Sequence, residues 1–145
     1  MVSSPITILP RILLVEDHEP SQHFACAALE GHGLVVDVAV NGVEAIEALS
    51  TKDYALVLMD CVMSVMGGVE ATQLIRDGSA NARNPDIPII AITANVYQEN
   101  FDDCRLAGMD DWLVKPMRAD ELREMVAKWL EPGTPKGRFK RILEG

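Results

Sequence analysis

Apolar positions along the chain fall into two alternating patterns. Short, nearly unbroken aliphatic runs occupy residues 12–15, 34–40, 55–59, 87–92 and 112–114. Runs of this length, rich in Val, Ile and Leu, read as strands, and those without polar interruption as strands covered on both faces. Between them, apolar residues recur at helical spacing. Leu122, Met125, Val126, Trp129 and Leu130 fall at i, i+3, i+4, i+7 and i+8, which is one face of a helix. Tyr97, Phe101 and Cys104 fall at i, i+4 and i+7, with Gly108 as the stop. Val43, Ile46 and Leu49 follow Asn41, a good N-cap, and Ala71, Leu74 and Ile75 follow the Gly67-Gly68 turn. Pro20 stands early in the first helical stretch, where a missing N–H costs little.

Five strand–helix units in strict alternation predict an α/β fold, a doubly wound parallel sheet with five helices on its two faces. At 145 residues the chain is one domain with a core of its own. The body is expected over residues 11–130. Residues 1–10 precede it as an extension. Residues 131–145 follow as a basic tail, with Lys136, Arg138, Lys140 and Arg141 against Glu131 and Glu144, opened by Pro132, Gly133 and Pro135.

The formal net charge of −9 disfavours direct binding to nucleic acid or to an anionic membrane, since both are polyanions. No apolar run approaches the ~20 residues that span a bilayer. Three cysteines without a CxxC pair read as free thiols of a reducing compartment, so a soluble cytoplasmic protein is expected. The three histidines make no metal-ligand pattern, and Gly67-Gly68 lacks the Lys-Ser/Thr ending of a phosphate loop.

Parallel sheets gather their ligand sites at the carboxyl ends of the strands. In this chain the first strand delivers Glu16 and Asp17 there, the third Asp60, the fourth Thr93 and Ala94, the fifth Lys115 and Pro116. Each residue alone is an ordinary turn former or solvated side chain. Together they place three carboxylates on one rim, where mutual repulsion calls for a cation. A hard oxygen set suits Mg²⁺. Lys115 adds a second positive charge and Thr93 a neutral donor. Such a site can steady an incoming phosphoryl group while the Asp60 carboxylate attacks phosphorus to form an acyl phosphate.

At these residues the chain resembles the response-regulator receiver domain of two-component signalling. The resemblance rests on Ile12-Leu-Leu-Val-Glu-Asp17, Val57-Leu-Met-Asp60, Ile89-Ile-Ala-Ile-Thr-Ala94 and Leu113-Val-Lys-Pro116, in order and over residues 11–130. Gly68-Val-Glu-Ala-Thr and residues 91–95 are similar to receivers of hybrid sensor histidine kinases. The resemblance implies a flavodoxin-like sheet of order 2-1-3-4-5. It implies Asp60 as phosphoacceptor and Mg²⁺ held by Asp17, Asp60 and the Val62 carbonyl, with Glu16 completing the pocket. Thr93 and Lys115 would contact the phosphoryl group. A cis peptide before Pro116 would orient the lysine, and Trp112 takes the position of the switch aromatic.

The partners implied are a sensor histidine kinase or a histidine phosphotransfer protein, and an unknown downstream protein reached through the last two helices and last strand. The chain itself is expected as a monomer or weak homodimer. Its self-phosphorylation and hydrolysis belong to a switch more than to a metabolic enzyme. Val62 and Asn95, two beyond Asp60 and Thr93, imply a moderately long-lived acyl phosphate.

Departures from the family pattern are Ser64 in place of a proline, Gly67 in place of an aspartate, and His18 and Ser21 where asparagines are common. The first two loosen the loop after Asp60 without touching a metal ligand. The alternatives are a receiver-like interaction module that works without phosphorylation, and an Asp-nucleophile phosphatase. The second lacks the usual second aspartate, since Val62 stands there. A DNA-binding regulator would need an output domain, for which residues 131–145 are too short.

Overall fold

The computed structural model describes residues 9–94 and 99–131. Ten elements alternate: β1 (Arg11–Val15), α1 (Glu19–Glu30), β2 (Val35–Ala39), α2 (Gly42–Thr51), β3 (Leu56–Asp60), α3 (Gly68–Asp77), β4 (Ile89–Thr93), α4 (Glu99–Ala107), β5 (Asp111–Val114) and α5 (Ala119–Leu130). The strands form one parallel sheet in the order β2-β1-β3-β4-β5, the flavodoxin-like order expected. Consecutive parallel strands need a long crossover, and α1 to α4 each supply one, while α5 follows the last strand. The basic tail beyond residue 131, Asn95, and the Tyr97 and Phe101 side chains of the expected helical stripe lie outside the described residues.

Successive side chains of a strand point to opposite faces, so the sheet feeds two cores. Leu13, Val15, Val57, Met59, Ile89 and Ala91 pack with Ala45 and Leu49 of α2, Ala71 and Ile75 of α3 and Cys104 of α4. Ile12, Leu14, Leu58, Ile90 and Ile92 pack on the other side with Ala25 and Leu29 of α1 and Leu122, Val126 and Trp129 of α5. β3 and β4 are buried at every position. The helical stripe expected over 122–130 is thus core along its inner side.

The carboxyl ends of β3 and β4 differ from the sequence reading for a shared reason. Strand pairing runs one residue further than the aliphatic runs, so Asp60 closes β3 opposite Ile92 and Thr93 closes β4 opposite Val114. Both polar residues are held by the sheet ladder and not by loops. At the other end β4 begins at Ile89, because Pro88 offers no N–H to the ladder; Ile87 is buried outside the strand.

Local chemistry sets the helix starts. Asn41 Oδ1 accepts the Glu44 N–H (2.9 Å), and Glu44 Oε1 accepts the Val40 N–H (3.0 Å), fixing the entry of α2. The Arg118 N–H donates to Glu121 Oε1 (3.1 Å) at the start of α5. α3 starts at Gly68 so close to β3 that a Cβ there would collide with the Asp60 carbonyl oxygen and come within 2.9 Å of Met59 Cγ.

The amino-terminal rim of the sheet is held by charge. Arg76 of α3 donates to the carbonyls of Gly108 (3.0 Å), Pro85 (2.6 Å) and Ile87 (2.8 Å) and to Asp110 Oδ2 (2.8 Å). At the β2 edge, Asp37 accepts both Arg11 Nη1 contacts (3.0 and 3.1 Å) and the Tyr54 hydroxyl (2.7 Å). Fully buried Asp111 accepts Trp129 Nε1 (2.9 Å), Lys128 Nζ (3.1 Å) and the Trp112 N–H (2.9 Å), tying β5 to α5.

Candidate functional site

The sheet register brings the carboxyl ends of β1, β3, β4 and β5 to a common rim. There Glu16, Asp17, Asp60, Cys61, Val62, Thr93, Ala94 and Lys115 line one cleft of about 250 Å³. Glu16 and Asp60 are buried and Asp17 is exposed; one ligand oxygen from each lies within 4.8 Å of the others. Of the residues that the sequence placed at this rim, Glu16, Asp17, Asp60, Thr93, Ala94 and Lys115 therefore meet, while Pro116 lines the neighbouring groove.

The carboxylates are fastened before any partner arrives. Lys115 Nζ donates to Asp60 Oδ2 (3.0 Å) and Glu16 Oε2 (3.1 Å). The Val62 N–H donates to Asp60 Oδ1 (3.1 Å), the His18 N–H to Glu16 Oε1 (3.1 Å), and the Ser64 N–H to Asp17 Oδ2 (3.3 Å). Gln22 Nε2 holds the Glu16 carbonyl at 2.7 Å. The Lys115–Pro116 peptide is cis, as expected. The Lys115 N–H also donates to the Thr93 carbonyl (2.8 Å), carrying the ladder to the edge of the cleft.

Burial first, then the hydrogen bond and charge of Asp60, push the Glu16 carboxyl above the usual carboxylate range, while Lys115 and the His18 N–H oppose them. Burial pulls the Lys115 ammonium down, but Asp60 and then Glu16 outweigh it and the net shift is upward. One ammonium thus faces three acids, and the other basic group lining the cleft among the described residues is the His18 imidazole, whose Nδ1 is hydrogen-bonded to Ser21 Oγ. The oxygen-only donor set, its close spacing and the excess of acids fit a hard divalent cation.

Trp112 is half-buried against the α2–α4 core, which favours packing in this conformation. Val62 is 64% exposed at the mouth of the cleft, which it helps to line. The sequence reading missed one contact. Cys61 borders the cleft and also packs into the core, where Cys104 Sγ lies 2.7 Å from its Sγ. That hydrogen bond, then burial, push the Cys61 thiol up. No spacing rule links residues 43 apart; only the helical register of α4 does.

Comparison with known proteins agrees with this geometry. The family model described as the response regulator receiver domain matches residues 12–127. Histidine kinase 5 of Arabidopsis thaliana is 37% identical over 86% of this chain, which spans 16% of that protein. Hybrid signal transduction histidine kinase B of Dictyostelium discoideum is also 37% identical, over 84% of this chain and 7% of its own length. The chain therefore spans only a small part of these curated relatives. Among solved structures, the receiver domain of the Pseudomonas aeruginosa sensor histidine kinase PA1611, with a magnesium ion in its active site cleft, superposes with a TM-score of 0.78. It is 35% identical, covering 85% of this chain and 98% of that one. With the family's sheet order, its motifs in sequence and its acids on one rim, this chain belongs to the response regulator receiver domain family of two-component signalling.

Proposed function

We propose that the chain is a phosphoacceptor switch that takes a phosphoryl group from a phosphohistidine onto Asp60. The observation that carries this is the convergence of Glu16, Asp17 and Asp60 within 4.8 Å beside the Lys115 ammonium, 3.0 Å from Asp60 Oδ2. The donor is a sensor histidine kinase or histidine phosphotransfer protein, a reading supported by the kinase relatives.

Asp17, Asp60 and the Val62 carbonyl would hold Mg²⁺, with Glu16 behind them. When bound, the ion neutralises the acids and draws charge from the phosphoryl oxygens. An Asp60 oxygen attacks phosphorus, the O–P bond forms as the N–P bond breaks, and the histidine nitrogen leaves with the electron pair. Lys115 already stands where negative charge arrives, and it follows that charge from the carboxylate to a phosphoryl oxygen. Thr93, buried at the end of β4, offers its hydroxyl to another. Exposed Phe24, with Pro20, Pro116 and Met117, lines an apolar groove beside Lys115 on which a donor protein can dock. Phosphorylation then shifts a two-state equilibrium read by a downstream partner at α4, β5 and α5.

Acetyl phosphate with Mg²⁺ is the direct test. One phosphoryl mass is expected on the wild type, none with Mg²⁺ chelated and none on Asp60→Asn. Asp53→Asn, at an exposed carboxylate paired with Arg83, should be modified normally. An unmodified wild type, or modification that survives Asp60→Asn, overturns the assignment. The interaction module that needs no phosphorylation has no observation in its favour, since every chemical position is filled. Among the described residues no helix is long and apolar enough to cross a membrane.

A further inference from the structure

Cys61 and Cys104 come from distant parts of the chain and meet in the α2–α4 core. Their sulfurs are 2.7 Å apart as free thiols, and a bonded pair sits at about 2.05 Å. The backbone of Cys61 is already fixed, because its N–H donates to the Ile92 carbonyl at 3.0 Å. Cys104 is held in α4, with the Met109 N–H donating to its carbonyl. The pair needs no change of fold to become a bond.

Access is one-sided. Cys104 is fully buried, while Cys61 is 5% exposed and contributes to the wall of the acidic cleft. A cleft of about 250 Å³ admits an oxidant the size of a few waters. Burial keeps either sulfur from meeting another chain. Cys26 packs against the opposite core, on the far side of the sheet, and cannot compete.

We propose that Cys61 and Cys104 form a covalent modification site, joined as an intrachain disulfide by a small peroxide that enters through the acidic cleft. The Cys61 sulfur attacks one peroxide oxygen, the O–O bond breaks, water leaves, and Cys61 becomes a sulfenic acid. The Cys104 sulfur then displaces the sulfenic oxygen, which leaves as a second water. The two thiols lose two electrons and two protons to one hydrogen peroxide, and one S–S bond replaces two S–H bonds. The bond ties the residue after Asp60 to α4, so the cleft floor and the helix beyond β4 can no longer shift independently. This consequence rests on the phosphoacceptor reading of Asp60; the bond itself does not.

The test begins with the reduced chain exposed to hydrogen peroxide and followed by intact mass and peptide mapping. A loss of two hydrogens and a linked Cys61–Cys104 peptide are expected, reversed by dithiothreitol. Cys26→Ser should retain the link, while Cys61→Ser and Cys104→Ala should lose it. Thiols that stay reduced, a disulfide-linked dimer, or Cys61 carried to sulfinic acid without a link overturn the proposal; mapping of the wild type decides this even if a variant folds poorly. Acetyl phosphate with Mg²⁺ is then given to both forms. At least threefold slower phosphorylation of the oxidised form is expected, and equal rates overturn the coupling to Asp60. A reduced form that takes no phosphoryl group instead defeats the phosphoacceptor reading and leaves the disulfide standing.

Discussion

Two adjacent glycines at the start of α3 should respond very differently to the same methyl group. A Cβ on Gly68 collides with the backbone oxygen of Asp60 and crowds Met59 Cγ at 2.9 Å. The obstacle is backbone, so α3 must back away from β3 or the Asp60 peptide must turn. Overpacking of this kind costs about 1–3 kcal/mol. For a chain of this length each kcal/mol lowers the melting temperature by roughly 3–4 °C, so Gly68→Ala should melt about 3–12 °C below wild type.

Gly67 is different. Its φ of −79° and ψ of 171° are open to any residue, and its Cβ would meet only the Cys61 carbonyl at an ordinary 3.7 Å. Gly67 is the N-cap of α3, so in Gly67→Ala the gain of about 0.4–1 kcal/mol from restricting the unfolded chain is offset by a poorer cap, and the variant should stay within about 1 kcal/mol of wild type. Thermal melts by circular dichroism give the first readout and Mg²⁺ titration the second, because displacement of Asp60 should weaken the cation several-fold in Gly68→Ala alone. Equal stability and equal Mg²⁺ affinity of the two variants would refute the claim that α3 is seated directly on the Asp60 backbone.

Three further outcomes follow from other parts of the fold. Burial raises the Asp37 carboxyl, but the Tyr54 hydroxyl and Arg11 outweigh it and hold it below its usual value of 3.8, so its stabilisation is present above that pH and fades as pH falls through the depressed value. Asp37→Asn should lose about 1.5–3 kcal/mol at pH 7 in urea melts, with the gap to wild type closing in strong acid; a gap independent of pH contradicts this. Asp111→Ala strips the Trp129 indole and the Lys128 ammonium of a buried acceptor, with an expected loss of about 2–3 kcal/mol and a red-shifted tryptophan emission; unchanged emission would mean that the indole is not held by this carboxylate. The fully buried Thr72 hydroxyl has no hydrogen-bond partner among the described residues, so the isosteric Thr72→Val should gain about 1 kcal/mol, and a loss of that size would show that the hydroxyl is used.

The sheet was legible because its inner strands are buried on both faces. Residues 12–15 and 89–92 carry no polar interruption, which leaves few options besides a parallel sheet between helices. The rim was legible for a topological reason: once strands are parallel, Asp17, Asp60, Thr93 and Lys115 must share an end. Other features depended on packing that no local pattern encodes. No local pattern marks Asp110 and Asp111, yet one receives Arg76 from α3 and the other Trp129 from α5. Cys61 and Cys104 looked isolated, because their meeting depends on how α4 is rotated over the sheet. Asp37 falls on an edge strand, where an acid is expected, and nothing nearby in sequence announces Arg11 or Tyr54 as its partners.

The Arg76 contacts separate two kinds of constraint along β4 and β5. At the amino-terminal rim one guanidinium serves four acceptors drawn from the segment before β4 and the turn before β5. At the opposite rim the same strands end in Thr93 and Val114, next to Lys115. On the phosphoacceptor reading proposed above, substitutions near Asp60 would retune cation affinity, lifetime or partner choice while the far rim keeps the two strands in register. The contacts that hold the fold and the residues of the proposed switch thus lie at opposite ends of the same strands, so either end can be altered with the other left in place.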